Sequence, residues 1–513
     1  YRTDDLDGVE VAATLGSLTS SRPTRLRLFS AEVRVGDYAL DNGNYFSTRG
    51  GGRGGLGGAG QAPLDDDYRE IRRQLWLATD TQYKEALEAL SGKRAALEAR
   101  RRTDQLPDFA REAPVVLGEV PLPARSAAGD LEGLARELSG VFGSVPEVYR
   151  SSVTVSSRAR LTRYLNSEGT TFTRASPSFA LRVRAGTQAA DGMPIADALA
   201  IHGRSAGDLP PRAALGAQVQ RLAAHLVALR AAPTLERYNG PVLFEAPAAA
   251  EVFAQQFAPR LLGFRAPVSD DPRFDALLAQ VMTQFGFGSF ADRMGSRVLP
   301  DFLDVTDDPG SREFRGAPLL GGQAVDDDGV VPRQTRLVER GMLQALLASR
   351  VPARGAPHST GSRRGSGPAP SNLLVAARRS ASQAELRQEL LRRAKARGLE
   401  YGLLVRRAGA GAASPALARL AGQMGGGEPG GNALAEVYRV FADGREELLR
   451  GVEIAEMTPG AFKDIAAAGD SPAVWSGDLM GGAGHGAPGA PPEGAQPVVS
   501  CVAPALLFEE LSL

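Results

Sequence analysis

The sequence predicts an α+β protein of two domains: an α/β domain with long helices over residues 1–235, and a β-rich domain with an antiparallel, barrel-like sheet over residues 236–513. Three observations predict this fold. The chain has 513 residues, more than one domain usually needs. Helical periodicity dominates the first part, whereas turn signals multiply after Pro233. Hydrophobic residues make up 43% of the chain, which allows a substantial core.

The first hundred residues combine strands with a long helix. Residues 25–29 and 32–35 alternate apolar and polar side chains with the period of two that is typical of strands. A glycine tract at residues 49–60 has too few side chains to pack, and we interpret it as a flexible loop. From Asp66 to about Arg102, apolar residues recur at helical spacing, which predicts an amphipathic helix packed on the sheet.

More helices and strands follow up to residue 235. A short helix is predicted at residues 131–142, and strands are predicted around residues 153–155 and 179–183. The apolar residues between 215 and 229 are spaced by four and three, which places them on one helix face. These residues are Leu215, Val219, Leu222, Leu226 and Leu229. His225 lies beside this face, and we interpret it as a packed or solvent-edge residue rather than a metal ligand.

The second half is predicted to be mostly β structure. Asp443-Gly444 is a hairpin signal between candidate strands at residues 436–441 and 447–454. Three helices are predicted at residues 248–262, 383–397 and 459–467. Glycine-rich loops are predicted at residues 422–431 and 481–494.

Composition excludes several classes of function. The formal net charge is +0, which gives no electrostatic footprint for nucleic acid. Cys501 is the single cysteine, so intramolecular disulfides and cysteine-based zinc clusters are excluded. No apolar run approaches the ~20 residues that a membrane-spanning helix needs. The chain begins at Tyr1, so a signal peptide removed before this residue would not be visible, and the compartment stays open.

Four motifs follow one another between residues 165 and 373. They are LNSEG at 165–169, DVTDDPG at 304–310, DDDG with LVERGML at 326–343, and STGSRR with PSNL at 359–373. In this order they resemble the TldD/PmbA family, which is described as modulators of DNA gyrase and as predicted zinc-dependent peptidases. The resemblance extends more loosely over most of the chain and is weakest in the first hundred residues.

The resemblance also implies where a zinc site would lie. Catalytic members of the family carry HExxxH on a helix, with two histidines and a later cysteine as zinc ligands and the glutamate as general base. The corresponding ligand positions here are Gln255 and Arg260, and the base position is Gln256. Amides are poor zinc ligands, a guanidinium repels a cation, and a neutral amide cannot act as a general base. We therefore expect no catalytic residue, no metal and no cofactor in this chain, with zinc held by a catalytic partner.

A peptide groove between the domains is a second implication of the resemblance. Small hydroxyl residues and glycine allow close approach of a ligand backbone, and paired arginines can hold a peptide carboxylate. The groove candidates are Ser359, Thr360, Gly361, Arg363, Arg364, Ser371 and Asn372. An equally weighted alternative is that the two arginines pair with the acidic turn at residues 326–328.

Three functions are compatible with these residues. The leading hypothesis is the non-catalytic, TldE/PmbA-like subunit of a heterodimeric peptidase that acts on unfolded peptides beside a TldD-like partner carrying HExxxH. One alternative is a stand-alone peptide-binding or scaffold homodimer without proteolysis. The other is a metallopeptidase with a relocated zinc site, built from three of His202, His225, His358 and His485. The family resemblance implies a cytoplasmic location, and an exported protein is the alternative.

Overall fold

The computed structural model describes residues 1–48, 58–100, 106–284, 290–365, 367–409, 435–454, 456–478 and 498–513. Most of the predicted glycine tract, the two predicted glycine-rich loops and His485 lie outside these residues. Because Arg102 also lies outside them, the described part of the long helix ends at Arg100.

The described residues form seven α-helices. They are α1 Tyr68–Arg100, α2 Ala128–Gly140, α3 Arg212–Ala231, α4 Ala246–Val252, α5 Pro272–Gln284, α6 Gln383–Ala396 and α7 Pro459–Lys463. A π-helical turn at Phe253–Phe257 and a 3-10 turn at Ala258–Leu261 extend α4. Further 3-10 turns lie at Val141–Ser144 and Ala206–Asp208. None of these helices combines the length and the apolar composition that a bilayer crossing requires.

The strands of the described residues are numbered in chain order. In the first half they are β1 Arg2–Thr14, β2 Ser17–Ala31, β3 Tyr45–Phe46, β4 Gly58–Ala62, β5 Arg150–Leu165, β6 Thr171–Gln188 and β7 Pro194–Gly203. In the second half they are β8 Asn239–Phe244, β9 Val268–Ser269, β10 Leu303–Asp307, β11 Glu313–Phe314, β12 Ala317–Pro318, β13 Thr335–Glu339, β14 Met342–Leu343, β15 Arg363–Arg364, β16 Gly367–Pro368, β17 Asn372–Ala377, β18 Tyr401–Arg407, β19 Glu436–Phe441, β20 Glu446–Leu449, β21 Ile465–Ala468, β22 Ala473–Asp478, β23 Val498–Ala503 and β24 Leu506–Ser512.

The first half is built on one antiparallel six-stranded sheet, with the order β4-β2-β1-β5-β6-β7. Alternate residues such as Val153 and Val155 on β5 and Leu181 and Val183 on β6 are buried against α2 and α3. The residues between them point to the opposite, polar face. The apolar stripe of α3, from Leu215 to Leu229, is buried as predicted.

The second half contains two mixed six-stranded sheets. Their orders are β14-β13-β10-β17-β23-β22 and β20-β19-β18-β8-β24-β21. One core cluster combines residues from both sheets with α4 and its π-helical extension, for example Val305, Val405, Phe253 and Phe257. The helix that carries the predicted degenerate zinc positions therefore lies at the centre of the core, between the sheets. Helix α6 packs on the outer side of the second sheet through Leu386 and Leu390.

The α+β fold class is confirmed, and several details differ from the prediction. Residues 32–35 are not a strand, and β1 was not predicted. The sheet of the first half is wholly antiparallel. Each sheet of the second half contains one parallel pair, β17 with β23 and β8 with β18. The predicted helix at 459–467 ends at Lys463, because the next residues pair with β24.

The division after residue 235 stays a prediction. Segments on its two sides contact each other, since β3 pairs with β9. A buried network also crosses it: Asp197 Oδ2 lies 2.8 Å from both His225 Nδ1 and Arg407 Nη2. Arg407 in turn pairs with Glu436 at 2.7 Å. His225 is thus packed into an ion-pair network, which agrees with its predicted role as a packed residue.

Candidate functional site

The helix that carries the predicted HExxxH positions begins directly after a buried strand. All residues of β8 except Asn239 are buried, as expected for a central strand between β18 and β24. The chain then enters α4, where a proline lies in the first turn. The helix widens into a π-helical turn over Phe253–Phe257, a local geometry that often occurs at functional positions. Gln255 and Gln256 lie in this turn.

Gln256 and Arg260 bind the backbone of one residue in another segment, Met457. The backbone N–H of Met457 donates to Gln256 Oε1 at 2.7 Å, and Arg260 Nη2 donates to the Met457 carbonyl at 2.6 Å. Arg260 Nε also donates to the Gln256 carbonyl at 3.1 Å. Both side chains are buried. We call this arrangement the Arg260 clamp, because it closes the helix onto the segment before α7.

The donor set at these positions does not fit zinc. Arg260 places a guanidinium where the resemblance implies a histidine ligand. Burial lowers the pKa of this guanidinium, but an arginine starts from so high a pKa that it keeps its positive charge. Gln255 contributes an amide whose buried Oε1 has no hydrogen-bond partner among the described residues. Those residues also contain no group of three His, Cys, Asp or Glu side chains that could hold a metal. No step of metal chemistry can therefore be assigned to this segment.

Three of the predicted groove residues stabilise a loop. Thr360 Oγ1 accepts a hydrogen bond from the Ala348 backbone at 2.8 Å, and Ser359 Oγ accepts one from Gly361 at 3.1 Å. Gly361 has a φ of +72°, and a Cβ there would lie 2.6 Å from Pro332 Cα. Only glycine fits this position without strain.

The two predicted groove arginines lie beside the acidic turn at residues 326–328. Arg363 Nη1 pairs with Asp328 at 2.5 Å, which matches the alternative interpretation for this residue. The nearby Asp328 charge raises the pKa of Arg363. Arg364 donates instead to the Gly321 carbonyl, and burial lowers its pKa to about 10. Whether either arginine also contacts a peptide stays a prediction.

Ser371 and Asn372 bind the end of β10 and its following turn. Ser371 donates from Oγ and from its backbone N–H to Asp307, at 2.6 and 2.8 Å. Asn372 Nδ2 donates to the Asp308 carbonyl at 2.8 Å, and its Oδ1 accepts from Gly321 at 2.9 Å. Both side chains are buried. The structure thus gives these two groove candidates internal partners, and their contact with a peptide stays a prediction.

Burial raises the pKa of Asp307 to about 6, and its contacts with Ser371 oppose the shift. Because the folded pKa exceeds the unfolded value near 4, folding favours the protonated form, and stability is lost as the pH rises from about 4 to about 6. We expect Asp307→Asn to match the wild type near pH 4 and to be more stable at pH 7, by on the order of 2–3 kcal/mol. Urea unfolding at both pH values measures this difference. The control is Asp301→Asn, since Asp301 is exposed. If Asp307→Asn lowered the free energy of unfolding equally at both pH values, the prediction would be contradicted.

A cleft of about 690 Å³ lies between the polar face of the first sheet and segments of the second half. It includes one predicted groove residue, Arg364. Its charged lining consists of eight arginines and four carboxylates. The arginines are Arg2, Arg158, Arg160, Arg174, Arg182, Arg204, Arg312 and Arg364, and the carboxylates belong to Asp7, Glu10, Asp327 and Asp478.

The sequence contained a signal for this arginine cleft that the prediction did not use. Arg158 and Arg160 on β5, like Arg174 and Arg182 on β6, are separated by even numbers of residues, so each pair projects from the same face of its strand. That face is opposite the apolar residues that identified the strands. Period-two arginines on the polar face of a predicted strand therefore mark a charged surface.

A second cavity of about 530 Å³ includes the other predicted arginine, Arg363. Glu168, from the LNSEG motif, accepts from Arg350 at 2.7 Å and from the Tyr38 hydroxyl at 2.6 Å. The Arg350 guanidinium stacks on Phe109, 4.0 Å from the ring centre. Because these charges already have partners, this cavity has fewer groups free to bind a ligand than the arginine cleft has.

Comparisons with known proteins give the family context of these features. The sequence profile of the "PmbA/TldA metallopeptidase C-terminal domain" matches residues 238–513. A comparison with curated proteins finds no significant match.

Three solved structures share the fold. A candidate modulator of a DNA gyrase from Thermotoga maritima has a TM-score of 0.59 and 14% identity, over 100% of this chain and 94% of its own. TldE from Thermococcus kodakarensis has a TM-score of 0.54 and 13% identity, over 100% and 95%. A candidate modulator of DNA gyrase from Bacteroides thetaiotaomicron has a TM-score of 0.55 and 10% identity, over 99% and 94%.

Proposed function

Because the chain belongs to the PmbA/TldD metallopeptidase family, we propose that it is a non-catalytic member that holds unfolded peptides for a zinc-bearing family partner. One observation carries the proposal: the Arg260 clamp occupies one position that the family resemblance assigns to a zinc ligand, Arg260, and the position that it assigns to the general base, Gln256. A guanidinium fixed by two backbone carbonyls cannot be exchanged for a metal ion by a small rearrangement. The buried amides beside it supply neither a strong ligand nor a base.

Two further features support a peptide-holding role. The arginine cleft has the size of a typical ligand pocket, for which about 300–1,000 Å³ is usual. It lies between the polar face of the first sheet and segments of the second half, so a bound chain would contact residues from both halves. The structural likeness to a protein named TldE supports a partner of the TldD type, in which HExxxH supplies the zinc site.

Coexpression with a family member that carries HExxxH tests this proposal. We expect the purified chain alone to leave casein intact, with or without added zinc, because it lacks ligands and a base. We expect the copurified pair to degrade casein and a chelator to abolish this activity. The control is a pair in which the histidines of the partner motif are replaced.

Cleavage by this chain alone that a chelator inhibits would overturn the proposal and favour a relocated zinc site. A chain that copurifies only with itself, and that binds peptides without any proteolysis in the pair, would favour the stand-alone homodimer. Both outcomes are read from the same preparations, since size-exclusion chromatography reports the assembly and the casein assay reports the activity.

A further inference from the structure

The charges that line the arginine cleft are not balanced. Its eight arginines face four carboxylates, although the whole chain has a formal net charge of +0. Some of these arginines form ion pairs with those carboxylates. Arg158 pairs with Glu10 at 2.5 Å, and Arg174 pairs with Asp327 at 2.5 Å. The surplus of positive charge is therefore concentrated on the remaining arginines of the cleft.

Arg160 is the clearest case of an uncompensated arginine. It is half-buried on β5, and it has no ion pair or hydrogen bond to any residue that the structure describes. The carboxylates that attract its charge are those of Asp4 and Asp327. Both of them already pair with Arg2, at 2.8 and 3.1 Å. Burial lowers the pKa of Arg160, and Arg2 and Arg174 lower it further. A half-buried guanidinium without a partner is costly, and an incoming anion would remove that cost.

The unsatisfied groups on the facing wall are also donors. Gln323 accepts from Arg174 through Oε1, but its buried Nε2 has no partner among the described residues. The buried Nε of Arg364 likewise lacks a partner there. Among the described residues that line the cleft, no buried side-chain acceptor lacks a hydrogen-bond partner. Both walls of the cleft thus present donors, which matches a ligand rich in acceptors and negative charge.

We propose that the arginine cleft selects acidic peptide segments, and that Arg160 is the specificity-determining residue that binds a ligand carboxylate. This inference rests on the proposed peptide-holding function and adds a substrate class to it. The ligand carboxylate supplies the counter-charge that Arg160 lacks among the described residues.

A peptide fits the lining better than a nucleic acid strand does. Single-stranded nucleic acids are usually bound by aromatic side chains that stack on successive bases. Phe179 is the single Phe, Tyr or Trp among the described residues that line the cleft, and its side chain is buried in the core of the first sheet; the imidazole of His202 is the one other ring in that lining. The four carboxylates would also repel a continuous row of phosphates. Isolated side-chain carboxylates of a peptide can be placed between them.

The test measures the affinity of fluorescent octapeptides by anisotropy, with the full chain at two salt concentrations. One peptide contains four glutamates, and its matched peptide has glutamine at those positions. The proteins are the wild type, Arg160→Gln and Arg25→Gln; Arg25 is an exposed arginine on β2 of the same sheet that does not line the cleft. Thermal unfolding shows that each variant is folded, and an oligothymidylate serves as a nucleic acid probe.

We expect the wild type and Arg25→Gln to bind the acidic peptide at least tenfold more tightly than the glutamine peptide, with a preference that weakens in high salt. Arg160→Gln should lose about tenfold in affinity for the acidic peptide alone. Equal affinity of the wild type for both peptides would overturn the inference and leave the peptide-holding function standing. Binding of neither peptide would overturn that function too, and tighter binding of oligothymidylate would assign the cleft to nucleic acid.

Discussion

Replacement of Lys93 by methionine should lower the free energy of unfolding by about 3 kcal/mol or more. Lys93 lies on α1 with 2% of its side chain exposed, and its Nζ is 2.6 Å from Asp108, whose side chain is 0% exposed. The ammonium also donates to the carbonyls of Asp41, at 3.0 Å, and Gly43. Methionine preserves most of the volume but removes the cation that these three acceptors share. Asp108 keeps Arg265 Nη2 at 3.3 Å and the backbone N–H of Asp41 at 2.9 Å, but a buried carboxylate that loses its nearest counter-charge costs far more than a missing surface pair.

Lys84→Met is the matched control for this measurement. Lys84 lies on the same helix and pairs with Asp80 at 2.6 Å, but its side chain is 68% exposed. Such a pair contributes about 0.3–0.5 kcal/mol. Urea unfolding followed by circular dichroism measures both variants, and similar losses for Lys93→Met and Lys84→Met would contradict the prediction.

Lys93 also shows what a sequence pattern can and cannot predict. The helical period correctly predicted α1, and the spacing of Leu215 to Leu229 correctly predicted α3 and its buried face. The same helical period predicts that every lysine on the polar positions is exposed to solvent. It cannot predict the ion pair between Lys93 and Asp108, because only the tertiary packing brings the two residues together. Strand β1 was missed for a related reason: it carries four acidic residues that face polar partners rather than the solvent, for instance Asp5 beside Arg27 at 2.5 Å.

The site was predictable to a similar extent. Three of the four motif segments lie in the second half and LNSEG lies at the end of β5 in the first half, and the resemblance located the helix at residues 246–261. The partners of its polar residues were not predictable, since Met457 follows Arg260 by almost two hundred residues and binds through backbone atoms. Backbone groups leave no signature in the side-chain pattern. The arginine cleft did leave one, in the period-two arginines of β5 and β6.

The clamp explains how the family core can persist with a residue that excludes zinc. A helix between two sheets must satisfy the polar groups that it carries into the core. Here Arg260 donates to the Gln256 and Met457 carbonyls, and Gln256 Oε1 accepts from the Met457 N–H, so the two residues and the Met457 backbone form a closed hydrogen-bond network. Phe257, between the two residues in sequence, packs against Phe290 and Phe462 and holds the turn in place.

Arg260→Met should therefore destabilise the chain by about 3 kcal/mol, because the Met457 carbonyl and the Gln256 carbonyl lose a charged donor inside the core. Arg221→Met is the control: Arg221 is an exposed arginine on α3 for which no side-chain hydrogen bond is formed within the described residues. Its replacement should change the urea midpoint little. If Arg260→Met were as stable as the wild type, the guanidinium would not be needed for folding. Its place at a position where the resemblance implies a zinc ligand would then have no structural explanation.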